Sequence, residues 1–248
     1  MRVTVSRDPF DTELLQRKCG RVLLSEVDDL VNLDELSRAL RGLTDAELIY
    51  LSTPYQPRLV AEVHRLGFFQ VTTRNVYARG LESGVAAPGI RLPTLHKAEL
   101  RARHDIEDFG HLLRSLVTRS RYWKDERIPR GNALALYQRW FYNSIYADYA
   151  EEVVAALDGG EIVGLVTLKE QGTNLYLDLI VVDERAQGKG VGRLLIHEAF
   201  AYGAARRALN VKVETEGENV PANRFYQKLG FLLDTHTLAF HQHAPVLP

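Results

Sequence analysis

"VVDERAQGKGVGRLLIHEAF", residues 181–200, passes from apolar β-branched residues through a charged, glycine-rich turn into helical spacing. A strand that ends in such a turn and opens a helix can hold an anion. The first turn of a helix leaves backbone N–H groups unpaired and pointing outward. Glycines let a phosphate come close to that backbone. Three phosphate loops compete for the pattern, beside the plain alternative of a turn with no ligand. The dinucleotide fingerprint G-x-G-x-x-G fails, because its third glycine falls on Arg193 or on Leu195. The Walker loop fails as well, since Gly192 is followed by Arg193 and Leu194 rather than by Lys and Ser or Thr. The third pattern, Q/R-x-x-G-x-G/A, is met by Gln187, Gly190 and Gly192, with Gly188 at a variable position.

Outward from this turn the second half of the chain is β-rich. "EVVAALDGGEIVGLVTLKE" is two strands around Asp158-Gly159-Gly160, and "NLYLDLIVVD" is a third, nearly continuous in apolar residues. After the turn come a helix from about Gly190 to Arg207, the strand "ALNVKVETE", the short helix "VPANRFYQKL" stopped by Gly230, and the strand "FLLDTHTLAF". Upstream, "DIEDFGHLLRSLVTRSRY" and "NALALYQRWFYNSIYADYAEE" have helical spacing, the latter with Leu134, Tyr137, Phe141 and Ile145 on its apolar face. Residues 1–80 alternate short strands ("MRVTV", "RVLLSEV", "ELIYLS", "FFQVTTRNVYAR") with amphipathic stretches around Glu13, Leu36 and Val63. The Gly- and Pro-rich segment 85–93 lacks either period. It predicts a boundary between a smaller N-terminal α/β domain, residues 1–88, and a second domain, residues 89–248. No fixed-period repeat is visible.

The chain has 248 residues and is 46% hydrophobic, enough for a sizeable core. Its 31 basic and 32 acidic residues balance, which gives no global field to attract nucleic acid or an anionic membrane. One cysteine, Cys19, excludes an intramolecular disulfide, and no signal-peptide pattern or apolar run of about 18 residues is present. The expectation is a soluble, cytoplasmic protein. His96, His104, His111, His236, His241 and His243 show no metal-ligand spacing, so no metal is expected.

Val182-Asp183 before the loop, the loop itself, and "ENVPANRFYQKLGF" after the next strand together resemble the GNAT N-acetyltransferases. In the last segment Asn219, Ala222, Tyr226, Leu229, Gly230 and Phe231 carry the likeness. The resemblance implies an α/β (α+β) GNAT fold with a mixed, mostly antiparallel sheet in the second domain, and acetyl-CoA as cofactor. It implies that Gln187, Gly188, Lys189, Gly190, Val191, Gly192 and Arg193 grip the pyrophosphate. Ile180, Val181 and Val182 would then hold the pantetheine arm from a splayed strand, and Asn219 would touch the cofactor. Tyr226 matches the tyrosine that protonates the departing thiolate. Asp178 stands two and four residues before Ile180 and Val182 in an apolar strand, hence on one face with them, and is the candidate general base ahead of Glu214 and Glu216.

The whole chain is similar to the TDP-fucosamine acetyltransferases and related nucleotide-amino-sugar N-acyltransferases. The likeness rests on "DPFDTELLQRKCGRV", "VHRLGFFQV", "SRYW" and "QRWFYNSI", and departs at a longer "WKDERIPRGNALALY" and at Phe10-Asp11. It implies acetyl transfer to a nucleotide-linked amino sugar. Diphosphate and base call for guanidinium groups and aromatics, which Arg121, Tyr122 and Trp123, flanked by Arg119 and Lys124, supply. The partner implied is this small molecule, with room for a homodimer. Acetylation of a peptide or another small amine, and a silent acyl-CoA sensor, are the competing readings.

Overall fold

The turn at Asp158-Gly159-Gly160 forms as its sequence requires, with both glycines at positive φ (+61° and +89°), and joins two antiparallel strands. The computed structural model describes residues 1–27 and 33–244. In order these form β1 (Arg2–Arg7), α1 (Pro9–Leu15), β2 (Cys19–Ser25), α2 (Leu33–Arg41), β3 (Leu48–Thr53), α3 (Pro57–Arg65) and β4 (Phe69–Gly80). Next come β5 (Thr94–His96), α4 (Lys97–Arg103), α5 (Gly110–Val117), α6 (Arg121–Lys124) and α7 (Arg130–Tyr146). The last elements are β6 (Glu152–Asp158), β7 (Glu161–Gln171), β8 (Asn174–Val182), α8 (Val191–Ala205), β9 (Asn210–Glu216), α9 (Val220–Lys228) and β10 (Leu232–His243). Among the described residues, no helix is long and apolar enough to cross a membrane.

Among the described residues, ten strands join one sheet in the order β1-β2-β3-β10-β4-β9-β8-β7-β6-β5. Only β2 with β3 and β8 with β9 run parallel; the other neighbours are antiparallel. The segment 85–93 links β4 to β5, yet strands from either side of it interleave. β4 lies between β9 and β10, and β10 lies between β3 and β4.

This order has a pseudo-two-fold about the β10–β4 pair. β1, β2, α2, β3, α3, β4 on one side correspond to β7, β8, α8, β9, α9, β10 on the other, each series ending in a strand inserted beside the other's. The repeat is invisible in the sequence because the two halves share pairing geometry rather than residues.

Period-two alternation sends side chains to two layers. Leu48 and Tyr50 join the core beneath α1 and α4–α7, while Ile49 and Leu51 join the core beneath α2 and α3. α7 ends at Tyr146, and its buried stripe is Ala133, Leu136, Tyr137, Phe141 and Ile145; Leu134, expected on that stripe, is exposed. The helical stretch before it breaks into a short 3-10 turn (Ile106–Phe109), α5 and α6.

One irregularity matters most. In β8, Leu177 pairs with Leu168 and Leu179 with Thr167, so Asp178 is the extra residue of a β-bulge. The bulge reverses the alternation: Leu175 and Leu177 pack beneath α8, but Leu179 and Val181 pack on the opposite layer. Asp178 therefore faces α7, while Ile180 and Val182 lean into the core beneath α8. The shared face expected for these three residues does not survive the bulge.

α8 is seated on β7 at Gly164, where an added Cβ would meet Val191 Cγ1 at 2.9 Å and Leu195 Cδ1 at 3.1 Å. Gly164→Val is expected to overpack this contact and cost about 1–3 kcal/mol, read as a lower urea midpoint with an unchanged slope.

Candidate active site

The parallel strands β8 and β9 pair only from Asn174 with Asn210 to Leu177 with Val213, and then part. Each stays paired on its outer edge: β8 with β7 as far as Val182, and β9 with β4 as far as Glu216. The backbone groups of residues 178–182 that face β9 therefore have no strand partner, and buried peptide groups require one. A cavity of about 540 Å³ fills the gap, lined by Asp178–Val182, the glycine turn, Glu214–Glu216 and Tyr226, and roofed by Ser115, Leu116, Arg119, Ser120, Tyr137 and Trp140.

At one end of the cavity lies the turn 187–192. Gly190 is the residue before α8, takes φ +93°, and an added Cβ would meet Ile90 Cγ2 at 3.2 Å. At Gly192 a Cβ would meet the Phe225 ring at 3.1 Å. Gly188 also sits at positive φ (+77°), so the position treated as variable in the sequence does favour glycine here. No side chain caps α8, which leaves its first N–H groups directed at the cavity. Gln187 lines the same space, and its Nε2 donates to the Val182 carbonyl (3.1 Å), which ties the turn to the end of β8. Unpaired strand edge and uncapped glycine turn, side by side, suit an extended arm ending in a pyrophosphate.

Tyr226 is 4% exposed and lines the cavity, its ring packed on Tyr77, Phe225 and Phe231. Burial, with the Glu216 carboxylate adding, pushes its pKa well above the usual tyrosine value, so the hydroxyl keeps its proton. Asn219 caps α9, its Oδ1 accepting from Ala222 N (3.4 Å) and from Arg119 Nη1 (3.2 Å). Asp178 Oδ2 accepts from Trp140 Nε1 (2.8 Å); burial raises its pKa, and this hydrogen bond opposes the rise.

Arg121, Tyr122 and Trp123 do not line the cavity. Ser120 Oγ accepts from Trp123 N (3.3 Å) and starts α6, which turns these side chains toward the layer shared with the N-terminal strands. Tyr122 donates to Asp11 Oδ2 (2.8 Å) and accepts from Arg121 Nη2 (2.6 Å), and the Arg121 guanidinium packs on the Tyr50 and Tyr122 rings. Trp123 packs in the same layer beneath Arg130. The basic and aromatic residues that look ligand-directed in the sequence stitch the two halves together, and Arg119 alone of the cationic cluster reaches the cavity.

The histidines hold a second surprise. His241 Nδ1 and His243 Nε2 both lie on Asp125 Oδ2 (2.6 and 2.7 Å), a donor set that also suits a metal ion. Arg17 Nη1 stands 3.1 Å from His243 Nδ1 and has only protons to give. That makes Nδ1 the acceptor and places the ring proton on Nε2, which donates to Asp125 and keeps no lone pair for an ion. Burial pushes the His241 pKa down to about 4, so that ring is neutral. The trio fastens β10 to the end of α6.

Asn223, which the sequence reading matched to nothing, organises the turn after β9. Its Nδ2 reaches the carbonyls of Glu216 (3.0 Å), Gly217 (3.2 Å) and Asn219 (2.8 Å), and its Oδ1 accepts from Asn75 (2.7 Å) and Tyr77 (2.9 Å) of β4. Gly217 N donates to Thr73 O (2.8 Å), and a Cβ at Gly217 would fall 1.9 Å from Thr73 Oγ1.

Residues 114–231 match the acetyltransferase (GNAT) family model. The chain carries a GNAT acetyltransferase domain. It is an N-acetyltransferase that uses acetyl-CoA, for which the parted strands and uncapped glycine turn are suited. The spore coat polysaccharide biosynthesis protein SpsD of Bacillus subtilis (strain 168) is 23% identical over 237 residues, covering 94% of this chain and 80% of that protein. A GCN5-related N-acetyltransferase from Sphaerobacter thermophilus superposes with a TM-score of 0.64 at 15% identity, over 97% of this chain and 76% of that one. A tandem GNAT protein from the clavulanic acid biosynthesis pathway superposes with a TM-score of 0.57 at 13% identity, over 93% and 76% of the two chains. These two likenesses concern the fold, and both extend across the pseudo-two-fold of the sheet.

Asn223→Leu keeps the branched shape of the side chain but removes its hydrogen bonds to three carbonyls, of which Glu216 O and Asn219 O retain backbone donors. The variant is expected to lose on the order of 1–3 kcal/mol for each buried group left unpaired, visible as a lower Tm.

Proposed function

We propose that this enzyme acetylates the amine of a nucleotide-linked amino-deoxy sugar by direct attack of the amine on the thioester. The observation that carries this reading is the far end of the cavity, opposite the glycine turn. There Trp140 and Tyr137, with ring centroids 5.5 Å apart, form an aromatic wall beside Asp178, Glu214 and Glu216. An aromatic face suits the C–H face of a pyranose, carboxylates suit its ammonium group, and Arg119 at the rim suits a phosphate. The relation to SpsD, by name a protein of polysaccharide biosynthesis, extends over both halves of the chain and supports a sugar substrate.

Acetyl-CoA supplies an activated acyl group and a thiolate leaving group. The amides of Gln187–Gly192, with Lys189, Val191 and Arg193, bind the pyrophosphate at the α8 N-terminus. The free edge of Asp178–Val182, with Ile180, Val181 and Val182, orients the pantetheine arm. Asn219 fixes the start of α9, and Tyr226 donates its proton to the leaving sulfur. A peptide substrate would also meet the carboxylates, but the aromatic wall and Arg119 favour the sugar nucleotide. Tyr226, kept protonated in the cavity, speaks for a working enzyme over a sensor.

Thiol release from acetyl-CoA should be fastest with TDP-linked amino-deoxy sugars in a panel that includes polyamines and peptides. A panel in which a peptide or polyamine turns over faster overturns the substrate assignment. Tyr226→Phe should lower kcat on the order of 10²-fold or more, with acetyl-CoA affinity by calorimetry nearly unchanged.

A further inference from the structure

We propose that Glu216, at the end of β9, is the general base of the transfer, with Asp178 as the carboxylate that orients the incoming ammonium. This rests on the acetyl-transfer reading above. Both carboxylates line the cavity, but their surroundings differ. Asp178 is bound by the Trp140 indole, which occupies a lone pair and fixes the group against α7. Glu214 is tied to Arg74 of β4. Glu216 receives no hydrogen bond from another side chain among the described residues, although it is largely buried. It lines the same cavity as Tyr226 and Tyr137, whose pKa values are raised by burial first and then by its charge.

The backbone around Glu216 is pinned by several contacts. Its carbonyl is gripped by Asn223, Gly217 is pressed on Thr73, and Glu218 in the same turn is bonded by Thr72 Oγ1 (2.6 Å) and Lys124 Nζ (3.2 Å). A free carboxylate on a clamped turn has the geometry of a proton acceptor. A carboxylate needed only for structure would be paired.

The charged and titratable groups facing it are Glu214 on β9, Lys124 and Arg121 on α6, Tyr137 on α7 and Tyr226 on α9. Burial raises the Glu216 pKa, its own backbone N–H, Lys124 and Arg121 oppose the rise, and Glu214 adds to it. A base with a raised pKa draws a proton from an ammonium more readily than an ordinary carboxylate does.

In the step itself, Glu216 takes one proton from the ammonium, and the freed nitrogen lone pair forms the N–C bond at the acetyl carbonyl. As the C–S bond breaks, Tyr226 protonates the thiolate. The second nitrogen proton restores the tyrosine hydroxyl. Glu216 then releases its proton to solvent, so one proton is produced for each amide formed.

The sign of the linked stability effect is fixed by the same shift. A carboxyl whose folded pKa is raised favours the folded state while protonated, and that stability is lost as pH rises from the ordinary carboxylate value through the raised one. Above that window the Glu216 charge works against the fold.

The test follows Glu216→Gln, Glu216→Asp and Asp178→Asn in the full chain. Two acceptors are used: a TDP-linked amino-deoxy sugar, and methylamine at high concentration as a bare amine. For wild type, kcat/KM should fall on the acid side of a limb above the ordinary carboxylate range. Glu216→Gln should erase that limb and lower kcat on the order of 10²–10⁴-fold at unchanged acetyl-CoA affinity, with part of the rate restored in Glu216→Asp. Asp178→Asn should keep the limb and chiefly raise the acceptor KM. Glu216→Gln should also melt higher than wild type at pH 8, with the gain vanishing at pH 4. A limb that survives in Glu216→Gln and disappears in Asp178→Asn overturns the proposal. So does a Glu216 carboxyl that titrates in the ordinary range by 13C NMR of the resting protein, a readout that needs no acceptor. Turnover of methylamine but not of the sugar nucleotide, with the Glu216 limb intact, keeps the base and rejects the sugar.

Discussion

The gap between β8 and β9 depends on which of their edges are already paired. β9 is hydrogen-bonded to β4 along its whole length, and β8 to β7 up to Val182, so each strand is committed outward while the inner edges diverge beyond Leu177 and Val213. Sheet twist then widens the separation along the strands. Polar backbone that would be costly to bury without partners is left facing a cavity large enough for a substrate arm.

Because β4 comes from the first seven elements, the N-terminal half is part of the framework of the cavity. It supplies Tyr77 beneath Tyr226, the Asn75 and Tyr77 contacts to Asn223, and the Thr72 and Thr73 contacts to the turn after β9. The cavity is thus framed by residues far apart in sequence. Its low dielectric is what lifts the pKa values of Asp178, Glu216 and Tyr226 in concert.

Much of this was legible in the sequence. The strand-turn-helix at residues 181–200, the helix ending at Gly230 and the hairpin at Gly159-Gly160 follow from local chemistry, because positive-φ glycines and helix starts are local requirements. Three things were not. The bulge at Asp178 leaves no residue signature, yet it reverses which layer Leu179 and Val181 enter. The His241, His243 and Asp125 contacts, and those of Asn223 to β4, join elements whose adjacency exists only once β10 and β4 have exchanged places. Arg121, Tyr122 and Trp123 form a cluster in sequence whose direction is decided by the Ser120 cap and by Asp11, a residue from the other half.

The exchange of β4 and β10 also bears on how the protein acquires its shape during synthesis. Local contacts form early and long loops close late. The sheet's central pair joins a strand from the first third of the chain to its final strand, so the early segment emerges with an open slot beside β3 that no nearby sequence fills. Until β10 is made, β3 and β4 expose unsatisfied edges, a state in which a neighbouring nascent chain could donate its own last strand. A molecule whose two halves trade strands internally is therefore one short step from trading them between copies.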